Sequence, residues 1–352
     1  MDLSDLRTLG RSGLPVSPLT LGTMTMGNPD WGSSDEESAA IFDAYVDAGG
    51  NAIDTADVYS GGRSEELVGR FVAERGLRDQ VVLATKAGFG SGGGPLTGGA
   101  SRKNLTRAVE GSLRRLGTDH IDLYWLHVWD GVTPAEEVVQ TLGDLVGAGK
   151  IGYYGFSDTP AWFAARAATL AEAGGVAAPV ALQLEYSLVE RTIEREHVVA
   201  ARELGMGVVP WSPLAGGFLA GKYSRDGAGA SGQGRLAGSN PFGDSKFTDA
   251  NWAVLDVLRE VAGEVDRPLS QVALAWTRQR PGVSTILLGT RTTDQLADNL
   301  ASLEVDLPPD AIARLTEASA IDLGFPYAIY TPETMAAAVT GGVQVRGWSA
   351  GA

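Results

Sequence analysis

Eight short apolar runs recur along this chain, near residues 18–22, 51–54, 81–86, 121–126, 151–155, 180–184, 206–211 and 284–288. Between most of them lie segments with the apolar spacing of helices. The runs are rich in Val, Ile, Leu and Tyr, as strands buried on both faces of a parallel sheet are. Eight strand-helix alternations predict an α/β fold, a (β/α)8 TIM barrel. Ser34 ahead of 35–48, the Arg63-Ser64 pair ahead of 65–75 and Ser101 ahead of 102–117 read as helix starts, with Gly49 closing the first. Ahead of the barrel, residues 7–17 carry a Gly-Arg-Ser-Gly turn between short extended pieces and read as a β-hairpin. Three long connections lie on the rim side, at 87–100, 224–248 and after 320. The tail places Phe325, Tyr327, Tyr330 and Trp348 there. Long connections in a compact domain usually carry function or lack order. A barrel with such insertions commonly fills this length, so residues 1–352 are expected to form one domain.

Composition narrows the partners. Hydrophobic residues make up 44% of the chain, yet no apolar stretch approaches the roughly 20 residues that span a bilayer. The opening MDLSDLRTLG lacks the regions of a signal peptide, and there is no Cys for disulfides or a thiolate metal site. A cytoplasmic protein is expected, with no membrane partner. Three His residues leave little for a metal, and none is expected. A net charge of −15 opposes nucleic acid, whose phosphates are held by clustered Lys and Arg. Only five of the 28 basic residues are Lys, so Lys86 at the end of an apolar strand stands out.

In a parallel barrel the downstream strand ends share one rim. Asp54 ends one run, Tyr59 lies just beyond it, Lys86 ends the next and His127 follows the one after. Singly, each has an ordinary explanation: a helix cap, a half-buried ring, a solvated strand end, a core imidazole. Jointly they can reduce a carbonyl. A free phenol, with a pKa near ~10, is a weak acid for a forming alkoxide. A cationic Lys86 beside Tyr59 is expected to lower that pKa, and Asp54 to hold Lys86 charged. His127 can orient the carbonyl oxygen. No side chain donates a hydride, so a nicotinamide cofactor is implied. Met26, Trp31, Phe89 and Trp129 fall on rim loops and are expected to wall the pocket.

The pattern Asp54-x4-Tyr59, then Lys86, then His127, resembles the catalytic tetrad of the aldo-keto reductase family. GFSD at 155–158, LQLEYS at 182–187, VVPWSPLAGGFLAGKY at 208–223 and ILLGTRTTDQLADNL at 286–300 are similar to its further motifs, in order, from about residue 7 to 303. The resemblance implies a hairpin closing the barrel bottom, rim loops shaping the pocket, and NADPH-dependent reduction of an aldehyde or ketone. Tyr59 would give the proton to this small-molecule carbonyl substrate. It also implies that Ser157, Asp158 and Gln183 bind the carboxamide and that Trp211 stacks on the nicotinamide. Ser212, Leu214, Gly216 and Lys222 would follow the diphosphate. Gly289, Arg291, Gln295 and Asn299 would hold the adenosine 2′-phosphate and adenine. Asp158 stands where the family usually has Asn, and the phosphate segment reads G-T-R rather than K-S. A second reading keeps the fold: a cofactor-binding regulatory or scaffold protein like potassium-channel β subunits. Those relatives can have Asn where His127 stands, so the intact His points to an enzyme.

Two G-x-G-x-x-G matches lack the strand-turn-helix setting that a dinucleotide fingerprint requires. Gly88, Gly90 and Gly93 precede more Gly and Pro, and Gly227, Gly229 and Gly232 follow no strand. GGFLAGKY at 216–223 satisfies G-x4-G-K but ends in Tyr223, where a P-loop needs a small hydroxyl for magnesium. Oligomeric state and the individual substrate have no sequence signal.

Overall fold

A computed structural model describes residues 1–28, 30–225, 236 and 246–343. Gly227, Gly229, Gly232 and Trp348 lie outside the described residues. Ten strands run in chain order: β1 Arg7–Thr8, β2 Pro15–Val16, β3 Leu19–Gly22, β4 Ala52–Asp54, β5 Val82–Ala87, β6 Ile121–Leu126, β7 Ile151–Ser157, β8 Ala181–Glu185, β9 Gly207–Trp211 and β10 Ile286–Gly289. Helices α1 Asp35–Asp47, α2 Arg63–Arg75, α3 Arg102–Leu116, α4 Ala135–Gly147, α5 Ala161–Gly174 and α6 His197–Leu204 follow β3 to β8 in turn. α7 Asp249–Glu264 and α8 Leu269–Arg278 lie between β9 and β10, while α9 Thr293–Leu300, α10 Pro309–Ala318 and α11 Pro332–Val339 follow β10.

β3 to β9 form a parallel sheet in sequence order, and β10 pairs in parallel with β3. The bridge between Val208 and Val283 then links β9 to the chain entering β10. This is the expected (β/α)8 TIM barrel, with β1 and β2 forming the expected antiparallel hairpin. Among the described residues no helix is long and apolar enough to cross a membrane.

Strand parity divides the molecule into two apolar clusters, because successive side chains point to opposite faces of a strand. Ala52, Val82, Ala84, Leu123, Trp125, Ala181, Val209 and Leu287 pack together with Leu9, Leu14 and Val16 of the hairpin. These fill the barrel and plug its bottom. Their neighbours on the other parity, such as Ile53, Leu83, Tyr124, Leu182 and Leu288, pack among the helices. Trp125 needs room inside: a Cβ at Gly155 would come within 2.5 Å of its ring.

The helix starts follow local chemistry. Ser34 accepts from the Glu37 N–H while Glu37 reaches back to the Ser34 N–H, a capping box for α1. Ser101 likewise caps α3. The Arg63-Ser64 pair does not cap. α2 begins at Arg63 after a left-handed Gly62, with φ 96°. Ser64 is buried and ties to the Thr23 carbonyl at 2.9 Å and to Thr55 at 2.9 Å. The Gly61-Gly62 turn lets the helix start two residues early, at Arg63 rather than residue 65.

Candidate active site

Most of the inward-facing rows, followed past the apolar plug, end in a polar side chain. Asp54 continues from Ala52, Lys86 from Val82 and Ala84, and His127 from Leu123 and Trp125. Ser157 continues from Gly155, Gln183 from Ala181, Trp211 from Val209, and Gly289 from Leu287. Period-two geometry therefore gathers these residues at the downstream rim.

Lys86 is fully buried at the centre. Its ammonium donates to Asp54 Oδ1, to the Thr55 carbonyl at 2.9 Å and to Tyr59 Oη at 3.0 Å. An ammonium has three donors, so all are used. Tyr59 accepts from Lys86, and its own O–H is left to point elsewhere. The other oxygen of Asp54 accepts from Gln183 Nε2 at 2.9 Å. The loop carrying Tyr59 is tied to β5 by the Asp57 N–H on the Lys86 carbonyl at 3.0 Å. His127 meets the Tyr59 ring edge-on at 5.7 Å between centroids, and Phe89 meets His127 at 4.7 Å.

Electrostatics assign protonation states. Burial alone would depress Lys86, but Asp54 and then Tyr59 outweigh it and hold the ammonium above the ordinary lysine range. Burial raises Asp54, against the pull of Lys86. Burial also raises Tyr59 and exceeds the lowering by Lys86. Lys86 thus acts in the expected direction, but the net shift expected from sequence is reversed, because desolvation of the half-buried phenol is the larger effect. Burial and then Lys86 push His127 well below its ordinary value, so its imidazole is neutral near pH 7. Its Nδ1 is buried without a hydrogen-bond partner among the described residues.

Around this centre, Trp211 is half-buried at the end of β9, and its indole N–H donates to Asp158 Oδ1 at 3.0 Å. Ser157 is buried and pairs in register with Gln183. Beyond Trp211 the backbone turns sharply, with positive φ at Ser212, Ala215, Gly216 and Gly217. Leu214 packs on the core, and Lys222 is exposed with its stem against Gly217. Tyr223, which ruled out a P-loop, is buried and bolts this loop: its hydroxyl donates to the Gly216 carbonyl at 2.8 Å and accepts from Leu236 at 3.1 Å. After β10, the Arg291 N–H donates to Gln295 Oε1 at 3.0 Å and Thr292 caps α9. Asn299 is buried on that helix.

Phe89, Trp129 and Trp31 lie on rim loops, with Trp31 and Phe89 exposed. Met26 is placed differently from the expected pocket wall: it is 1% exposed and belongs to the core between strands and helices. Trp162 had no sequence signal, since an aromatic near a helix start looks like packing. It stands edge-on to Trp129 at 5.6 Å and is exposed. Gly88, Gly90 and Gly93 lie in the irregular connection ahead of α3 and open no helix. Among the described residues no cluster of His, Cys, Asp and Glu could hold a metal.

A family model described as the aldo/keto reductase family matches residues 18–320. The chain belongs to the aldo/keto reductase family. An uncharacterized oxidoreductase of Bacillus subtilis, YrpG, is 37% identical over 88% of this chain and 94% of its own. A probable voltage-gated potassium channel subunit beta of Oryza sativa is 33% identical, again over 88% of this chain and 94% of its own. The aryl-alcohol dehydrogenase (NADP+) of Phanerodontia chrysosporium is 33% identical over 90% of this chain and 86% of its own. This aldo/keto reductase is therefore an oxidoreductase acting on carbonyl groups with a nicotinamide cofactor. Its rim fits such a group, since it offers the half-exposed Trp211 indole and a Gly-rich backbone turn beyond it.

Proposed function

We propose that this aldo/keto reductase reduces aromatic aldehydes or ketones to alcohols with NADPH, and that the chain works as one barrel domain. A single observation carries the chemistry: the buried Lys86 ammonium spends its three protons on Asp54, Thr55 and Tyr59. Tyr59 is thereby an acceptor toward Lys86 and a donor toward substrate. Its proton goes to the carbonyl oxygen, and neutral His127 donates a hydrogen bond to that same oxygen and fixes its approach. NADPH supplies the hydride. Asp54 holds Lys86, and Gln183 holds Asp54.

Aromatic substrates are favoured by Phe89, whose ring meets His127, by the Trp129–Trp162 pair and by exposed Trp31 on the loop after β3. Aromatic rings offer broad apolar contact and edge-to-face pairing. Relatives named aryl-alcohol dehydrogenase and norsolorinic acid reductase agree with that reading. Ser157 and Asp158 would face the nicotinamide, Trp211 its ring, Ser212 to Lys222 the diphosphate, and Arg291 with Gln295 the 2′-phosphate. Multiple turnover of NADPH with a panel of aryl and alkyl aldehydes tests this, with higher kcat/KM expected for the aryl members. Tight NADPH binding without turnover of any member would instead favour a cofactor-binding subunit, as the channel β relative's name describes.

A further inference from the structure

Asp158 occupies an unusual backbone position. With φ 44° it lies in the left-handed region that few residues other than Gly adopt. Its N–H donates to the Gln183 carbonyl at 3.2 Å and its carbonyl receives the Trp129 N–H at 3.5 Å, so the strained turn is held from both sides. The consequence is directional. From the end of β7 the carboxylate reaches past β8 to the end of β9, where Trp211 Nε1 donates to Oδ1 at 3.0 Å. An indole has one donor and no acceptor, so this bond sets which way the N–H edge of the ring is turned where it packs against the inner cluster.

We propose that Asp158 is a positioning residue that acts through Trp211, pinning the indole in the plane against which the nicotinamide ring lies. This rests on the cofactor reading above and changes one part of it, because the direct carboxamide contact expected of this position becomes secondary. A Phe ring in place of Trp211 could not make the bond, so the carboxylate and the indole form a matched pair.

The pin responds to pH. Protein crowds Asp158 on the inner side while the outer side meets water. Burial raises its carboxyl to about 6, helped by Glu185 and opposed by the Trp211 bond and Lys86. Glu185 faces it from β8, itself paired with Lys246 at 2.8 Å; Lys86 faces it from β5 and Tyr59 from the loop after β4. Above about 6 the indole meets a carboxylate; below it, a neutral acid and a weaker acceptor.

The test is a double-mutant cycle on NADPH dissociation constants, read from the emission of the bound reduced nucleotide, together with the Trp211 indole 15N–1H resonance. Asp158→Ala should weaken NADPH by about tenfold, the scale of a charge-assisted hydrogen bond, but less than about twofold in the Trp211→Phe background. Asp158→Asn, whose amide oxygen still accepts, should restore most of the affinity. The indole resonance, assigned by its loss in Trp211→Phe, should titrate near pH 6 in the wild type and stay fixed in Asp158→Asn. Equal losses in both backgrounds would show a direct cofactor contact and overturn the proposal, as would an indole resonance indifferent to pH and to Asp158→Asn. A wild-type protein that binds no nicotinamide nucleotide overturns the cofactor reading and the pin's role with it, whereas normal binding with additive losses overturns the pin alone.

Discussion

At the scale of single residues, the allocation of three ammonium protons decides the chemistry. Tyr59→Phe keeps the ring and removes only the hydroxyl proposed as proton donor. Turnover should fall roughly 10²-fold or more while the NADPH dissociation constant changes little, which steady-state kinetics and a binding titration check. The pH dependence follows from the raised phenol. Reduction needs the protonated form, and burial lifts Tyr59 above the ordinary phenol value of ~10, so that form persists through neutrality. The rate of reduction should stay level between about pH 7 and 9, and fall only as the phenol ionises above about 10. His127 adds no limb near neutrality because it is already uncharged there. Lys86→Met removes the cation that favours the phenolate, so residual activity should be small and its alkaline limb displaced upward. Full activity with an unshifted limb would return Lys86 to a purely structural role.

Among the elements, the N-terminal hairpin and the catalytic rim occupy opposite ends of one apolar column. Leu9 is fully buried there, in the cluster with Ala52, Trp125 and Leu287. Leu9→Ala should cost about 2–5 kcal/mol, the usual range for a buried Leu truncation. Urea unfolding should show that loss while NADPH affinity is preserved, because Lys86 and Trp211 sit at the far end. A matching loss of cofactor binding would mean that the two ends are coupled. The strands were legible because apolar runs mark strands wherever they are buried on both faces; which residues face inward was not, because such runs carry no alternation. The placement of Asp54, Lys86 and His127 was legible too, because each stands at or just past the downstream end of such a run. Ser64 was not, since a Ser before an apolar-periodic stretch reads as a cap. The Gly61-Gly62 turn moved the helix start two residues earlier.

For the whole molecule, barrel closure assembles the site. β10 pairs with β3, so the loop after β3 meets the loop after β10: Thr25 Oγ1 donates to the Thr290 carbonyl at 2.9 Å and Ser33 Oγ to the Arg291 carbonyl at 3.1 Å. These contacts join segments more than 250 residues apart. Arg291→Ala should weaken NADPH by about 1.5–3 kcal/mol, roughly ten- to a hundredfold, and leave NADH nearly untouched, because only NADPH carries the 2′-phosphate. Paired dissociation constants check this, and equal losses for the two nucleotides would withdraw the NADPH preference.

By itself the sequence determined which residues stand at the strand ends, because apolar runs and helix spacing are local properties of the chain; which way each strand residue faces was decided by the closed barrel. The sequence also determined the proton chemistry those residue types permit. Tertiary structure decided what depends on distance and dielectric. It chose burial over Lys86 as the larger influence on Tyr59, set Met26 in the core, turned Gln183 toward Asp54 and joined Asp158 to Trp211 across β8. Those outcomes arise from atoms far apart in the chain and packed together only once the barrel closes.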